Sequence, residues 1–340
     1  MARRALGPAS LAVVQAVSAV LPARPVRVGV SGGADSLALA AAVAHVRDGR
    51  PAEALVVDHG LWDGSAAHSE RVAALVDGLG LPVRVAAVEV DPGGVGLEAA
   101  AREVRHGALW LTPSVSGRRI EEVWLAHSLD DQAETVLLGL ARGSGTRSLA
   151  GMAARRPETR AGVPEGAQVV RPLLGLRRSL LRTACDEWGI GTWDDPANSD
   201  PRFLRSAVRA TAMPALVSVF GDAVVEALAR TADLSRADAD TLDTLAGEAS
   251  GRVVSGDLLR VAATAALPDA VRSRVVRGWL TSVGCAEVPQ RHVAAVLGLI
   301  DDWHGQGPLH LPGGVRVDRR GGLLRASADP RPVAGFWPLG

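Results

Sequence analysis

Lysine and tyrosine are absent from these 340 residues, and cysteine occurs only twice. All 37 basic side chains are therefore arginine, which rules out a Walker A phosphate loop because its lysine cannot be supplied. Arginine binds phosphate and stacks on bases, so the missing lysine does not exclude an RNA partner. Cys185 and Cys285 lie far apart, with no Cys-x-x-Cys pair. This spacing provides neither a disulfide framework nor a zinc or iron–sulfur site, and it fits a reducing, cytoplasmic setting. No apolar run reaches the roughly 18 residues that a membrane span needs. The apolar stretch from Leu11 to Val20 is interrupted by Gln15 and Ser18, so it reads as an amphipathic helix rather than a secretory signal. Net charge is zero, a weak argument against a nucleic-acid partner. Locally the balance differs: residues 142–182 hold nine arginines against Glu158 and Glu165. One such patch is enough to bind RNA.

The composition, 47% hydrophobic and 22% charged, is that of an ordinary globular protein, and the length suggests two domains. After a lead helix, strand-like runs at Val26–Val30, Ala54–Asp58, Val83–Val90 and Val123–His127 alternate with helical patterns at 37–45, 68–80, 96–111 and 128–140. Such alternation predicts an α/β, doubly wound, mostly parallel, Rossmann-like sheet with ligand sites at the strands' C-terminal ends. Residues 143–171, rich in Gly, Arg and Pro, read as a long loop, and Trp193–Pro201 is dense in turn formers. Beyond Gly221 acids become frequent and Ala and Leu take helical spacing, followed by β-like segments after Gly305. The expected division is 1–220 for a catalytic domain and 221–340 for a smaller, mainly helical domain with a short β-like tail.

Ser31-Gly32-Gly33-Ala34-Asp35-Ser36 sits between a strand and a helix. The glycines permit a tight turn and close approach, free backbone N–H groups can face an anion, and Ser31 and Ser36 add hydroxyl donors. A carboxylate at Asp35 would repel bound phosphate unless a cation lay between them, and Mg2+ is the natural choice. The run Val56-Val57-Asp58-His59-Gly60-Leu61 ends the second strand, where an adenine could meet backbone groups near Val57. His127, Asp131 and Glu134 follow the fourth strand; the two acids share a helix face. Near an ATP site, such a set can hold Mg2+, orient an amine or accept its proton.

Together these segments resemble known proteins. Ser31–Ser36 resembles the S-G-G-x-D-S loop of the PP-loop, N-type ATP pyrophosphatases. Val57–Leu61, Ala126–Thr135, Arg142–Met152, Arg171–Leu174, Asp195–Asp200 and Phe203–Arg209, in that order, resemble the tRNA(Ile)-lysidine synthase family. The resemblance implies ATP and Mg2+ as cofactors, bound by residues 31–36 and Val57. It implies adenylation of the C2 oxygen of the wobble cytidine in tRNA(Ile) with a CAU anticodon, then attack by free L-lysine. It assigns Asp35, His127, Asp131, Glu134 and Arg102 to catalysis, with Arg105 as second choice for that arginine. Arg142, Arg147, Arg171, Arg205 and Arg209 are candidates to grip tRNA phosphates. A homodimer is allowed and no membrane is called for. Three positions depart from the family pattern: His106 replaces tyrosine, Ser206 replaces asparagine and Ser128 replaces a histidine. The alternatives are another PP-loop tRNA enzyme of the 2-thiolation type, which the cysteines do not support when cluster-dependent, and a non-catalytic tRNA- or nucleotide-binding protein.

Overall fold

A computed structural model describes residues 6–91, 96–143, 145–193, 204–285 and 288–328. In chain order its elements are α1 (Pro8–Ser18), β1 (Val26–Val30), α2 (Ala34–Val46), β2 (Ala52–Asp58), α3 (Ser65–Gly78), β3 (Val83–Ala87), α4 (Leu97–Leu111), β4 (Glu122–Trp124) and α5 (Leu129–Arg142). Then follow α6 (Thr146–Leu149), β5 (Arg155–Pro157), β6 (Gln168–Val170), α7 (Arg178–Trp188), α8 (Leu204–Ala207), a π turn (Val208–Ala212), α9 (Met213–Phe220) and α10 (Val224–Val253). The last are β7 (Val254–Ser255), β8 (Leu258–Arg260), α11 (Val261–Ala265), α12 (Asp269–Ser282), α13 (Gln290–Asp301), β9 (Leu309–Leu311), β10 (Val315–Arg320) and β11 (Leu323–Ala328). The chain separates into two compact units, one of residues up to 143 with 148–233, the other of 144–147 with 234 onward.

In the first unit the sheet order is β3-β2-β1-β4-β6-β5. All neighbours pair in parallel except the edge strand β5. Strands buried on both faces need apolar side chains on both, which is why β1 and β2 read as nearly continuous Val, Leu and Ala. One face packs against α1, α2, α3 and α7, and the other brings Leu55, Val123 and Val169 against Leu109 and Trp110 of α4. The doubly wound arrangement expected from the alternation is therefore present. The chain reverses direction across the sheet between β1 and β4, which makes the crevice at their C-terminal ends the binding site the topology favours.

One charged residue runs through this core. Arg27 of β1 is fully buried and gives Nε and Nη2 to Glu53 Oε1 at 2.8 and 2.6 Å. Its Nη1 donates to the carbonyls of Leu109 and Thr112 at 2.9 and 2.8 Å. Those are carbonyls at the C-terminal end of α4, where a cation is favoured and orphan acceptors need donors. The other Glu53 oxygen accepts from Ser114 Oγ and the Val115 N–H. With every polar atom paired, the buried pair anchors α4 to the sheet.

The segment 143–171, expected as loop, carries α6, β5 and β6. A three-residue strand is too short to show a period of two, and β6 is recognisable only through its pairing with β4. The turn-rich segment beyond Trp193 and the Asp195–Asp200 motif lie outside the described residues, as does Phe203.

The second unit builds its core from the last part of α10, α12 and α13 with a five-stranded antiparallel sheet of order β7-β8-β11-β10-β9. The β-like segments after Gly305 supply three of these strands. The other two form the β7–β8 hairpin turning through Gly256, φ +58°, within the region whose Ala and Leu spacing predicts a mainly helical domain. Among the described residues, no single helix is long and apolar enough to cross a membrane.

Candidate active site

Residues 31–36 join β1 to α2 at the reversal point. Gly32 has φ +87°, and a methyl group there would stand 2.7 Å from Val72 Cγ2, so only glycine fits. Gly33 caps α2 without a side-chain partner for the first N–H groups, which are left to face the crevice. Ser36 Oγ donates to the Gly33 carbonyl at 2.9 Å and accepts the Ser31 N–H at 3.2 Å, closing the loop on itself. A cavity of about 420 Å³ opens here. Its walls include Ser31, Gly33, Ala34, Asp35 and Ser36 of the loop, and Val57, Asp58 and His59 at the end of β2. Arg102 of α4 and His127 beyond β4 complete the side facing α4. Gly32 stays behind the loop, buried against α3.

Asp35 stands in the first turn of α2. Its Oδ2 lies 3.5 Å from Arg178 Nε, while Oδ1 is buried with no partner among the described residues. Burial, only partly offset by Arg178 and reinforced by the nearby Asp131, pushes its carboxyl up to about 6.

Arg178 continues to a second group of charges. It reaches Asp131 Oδ1 at 3.0 Å and Glu134 Oε1 at 3.2 Å. Arg205 donates to Asp131 Oδ1 and Glu134 Oε2, both at 3.2 Å. Arg209 donates to Asp131 Oδ1 at 3.0 Å and Glu134 Oε1 at 2.8 Å. The acids sit three apart on α5 and Arg205 and Arg209 four apart, so each pair shares a helical face. Apolar packing of Ala133 and Leu137 against Met213, Val208 and Val225 brings the faces together. Asp131 also forms a capping box with Ser128, its Oδ2 accepting the Ser128 N–H and Oγ–H at 2.8 Å each. Burial alone would raise its pKa, but Arg178, Arg205, His127 and the Ser128 N–H hold the carboxyl well below the usual carboxylate range. The serine that departs from the family's histidine thus orients an acid of the site.

His127 accepts a hydrogen bond at Nδ1 from Arg171 Nε, 3.2 Å away. Burial, aided by Arg171 and Arg205 against the opposing pull of Asp131, lowers its pKa to about 3. A neutral ring accepting at Nδ1 carries its proton on Nε2, so His127 offers the cavity a donor rather than a base.

The arginines expected to grip RNA fall into separate places. Arg205 and Arg209 spend their guanidinium groups on Asp131 and Glu134. Arg171 is buried and orients His127, with Nη1 on the Ala153 carbonyl at 2.7 Å. Arg142 is exposed at the end of α5, and Arg147 is exposed but paired with Asp240 and Asp243. Conversely, Arg178 stands out in the sequence only as part of the basic segment, yet it joins three acids. Arg177 and Arg178 open α7, where cations oppose the helix dipole, and that misplacement was the available signal. Asp130 offsets it, accepting the Arg178 N–H at 2.7 Å.

A crevice at the reversal of a parallel sheet, floored by a Ser-Gly-Gly loop and walled by acids, defines the class: an ATP-using PP-loop protein. The PP-loop domain family matches residues 10–216, and the TilS substrate binding domain matches residues 259–325. A tRNA(Ile)-lysidine synthase of Leifsonia xyli subsp. xyli is 46% identical over 319 residues, covering 89% of this chain and 92% of its own. The enzymes of that name from Streptomyces coelicolor, 46% identical with 89% and 86% covered, and Mycobacterium tuberculosis, 44% with 89% and 91%, are similar. The chain belongs to the tRNA(Ile)-lysidine synthase family. Among solved structures, the U34-tRNA thiolase NcsA from Methanococcus maripaludis with its 4Fe-4S cluster superposes with a TM-score of 0.52 at 14% identity, covering 66% of this chain and 78% of its own. That likeness concerns the fold alone; here the two cysteines are buried in different units.

Proposed function

We propose that the chain adenylates the C2 oxygen of the wobble cytidine in tRNA(Ile) with a CAU anticodon and couples that carbon to the side-chain amine of free lysine. The observation that carries this reading is the placement of Asp35, the phosphate loop's own acid, on the arginine that also holds Asp131 and Glu134. One guanidinium thereby links the place for ATP to a pair of acids able to receive an amine.

In the first step the cytidine oxygen bonds to the α-phosphorus and pyrophosphate leaves. The N–H groups of the loop and of α2 are the donors for the developing charge, and His127, which lines the same cavity, adds its Nε2–H. In the second step the lysine nitrogen bonds to C2 and AMP departs with the oxygen. Lysine arrives as an ammonium, so it needs anions to hold it and an acceptor for its proton; Asp131 and Glu134 are the candidates. Among the described residues no group of three or more metal-ligating side chains is found. Asp35, with one buried oxygen unpartnered, suits an Mg2+ that enters with ATP and offsets phosphate charge. The exposed Arg142 is left to hold RNA phosphates, with Arg147 able to join it only by leaving Asp240 and Asp243, and the target base must leave its stack to reach the crevice. The reaction would take place in the cytoplasm.

The test supplies ATP, Mg2+, labelled lysine and the CAU-anticodon tRNA(Ile). Label is expected to enter RNA with release of AMP and pyrophosphate, and Asp35→Ala to abolish it. Incorporation that survives that change would overturn the site.

A further inference from the structure

The rim of the cavity carries an aromatic pair to which the two chemical steps give no work. Trp62, in the turn between β2 and α3, lines the cavity and is 44% exposed, and Leu61 beside it is 46% exposed. The Trp62 indole stacks on that of Trp193, with 5.6 Å between ring centroids and 20° between planes. Trp193 lines the cavity as well, and its N–H donates to the Gly32 carbonyl at 3.2 Å, which ties the pair to the backbone of the phosphate loop. The buried His68 ring packs 4.0 Å from the Trp193 ring and steadies it from α3. Gly64, at φ +96°, passes so close that a methyl group there would stand 3.2 Å from Trp62 Cζ3. The indole is thus held in place on the protein side and left open on the solvent side. Trp110, Trp124 and Trp279, which fill cores, are by contrast buried. Apolar area left open at the mouth of a crevice marks a contact with a ligand.

The reaction indicates which ligand has a face to offer. Drawing the target cytidine out of its stack strips a flanking base of its neighbour. A flat indole can replace that neighbour for any base, because every base has a π-face, and it does so without reading sequence. An adenine held by the backbone at Val57 would belong to the strand end. Trp62 lies on the turn beyond it, half open to solvent, where a ligand as large as RNA can reach.

We propose that a base of the anticodon loop flanking the target cytidine stacks on the Trp62 indole, which holds the loop at the mouth while the cytidine occupies the crevice. This inference rests on the RNA-modifying reading above. The role is one of binding: no bond to Trp62 forms or breaks.

Affinities of the full chain for the CAU-anticodon tRNA(Ile) and, separately, for ATP with Mg2+ test it. Trp62→Ala is expected to weaken tRNA binding about tenfold or more and to leave ATP binding within about twofold. Trp62→Phe, which keeps a flat ring, should retain most of the affinity, and Trp62→Leu, apolar but not flat, should not. The decisive measurement pairs Trp62→Ala with tRNA made abasic at one or the other nucleotide flanking the cytidine. At one of the two positions, loss of the base should cost the wild type about tenfold and the variant less than about twofold. Absence of such coupling at both positions, wild-type tRNA affinity in Trp62→Ala, or equal weakening for ATP and tRNA would overturn the proposal. A wild-type chain that bound no tRNA would instead bring down the RNA-modifying reading itself, so the two failures are distinguishable.

Discussion

The two units treat charge in opposite ways. In the N-terminal unit ionic groups go inside: Arg27 with Glu53, Glu122 with Arg24 and Arg155, and Asp131 and Glu134 under three arginines. In the C-terminal unit the core is apolar, with Thr264 its only fully buried polar side chain among the described residues. Its ion pairs, such as Arg272 with Asp301 and Arg325 with Asp257, have acids that are about half exposed. Desolvated charge is costly and is retained where chemistry or geometry demands it; exposed pairs contribute little.

That contrast can be attacked at three strengths. Glu134→Ala strands three guanidinium groups on a single acid. Lysine incorporation is expected to fall at least about 100-fold, and urea melts to show a loss of about 3 kcal/mol. A variant as stable and active as the wild type would put this acid on a par with those of the other unit. A smaller change, of opposite sign, is expected from Asp35→Asn. The folded-state pKa near 6 lies above the ordinary 3.8, so the unfolded chain releases its proton first as pH rises. Stability is therefore lost across that window and stays lost above it. The amide avoids this, so it should be more stable than the wild type by about 1–2 kcal/mol at pH 8, after discounting for partial exposure, yet inactive. At pH 4 the gain should vanish; denaturation at both values decides. The smallest effect belongs to Asp301→Ala, which removes one partner of Arg272 and leaves Asp269. Stability should shift by no more than about 0.5 kcal/mol, with lysine incorporation unchanged.

What could be read beforehand follows the same division. The strands and helices of the sheet, the turn at Ser31–Ser36 and the acids of α5 are local patterns, carried by period and by residues close in sequence. Arg178 is 44 positions from Glu134 and 143 from Asp35, and apart from its unfavourable place at the start of α7 nothing near it in the chain distinguishes a structural guanidinium from one that waits for phosphate. Arg171, Arg205 and Arg209 were misleading for the same reason: a basic stretch shows its charge but not which buried anions it meets. The β7–β8 hairpin, by contrast, was legible: Val254-Ser255-Gly256-Asp257-Leu258 is a glycine turn between apolar residues, overlooked because it interrupts a long helical pattern.

The outermost strand of the N-terminal sheet has a consequence beyond the site. β5 is three residues long, runs against its neighbour and reads Arg155-Arg156-Pro157. Two cations and an imino acid leave a passing extended segment little to zip onto, so the pleated ladder stops there instead of templating further rungs from another molecule.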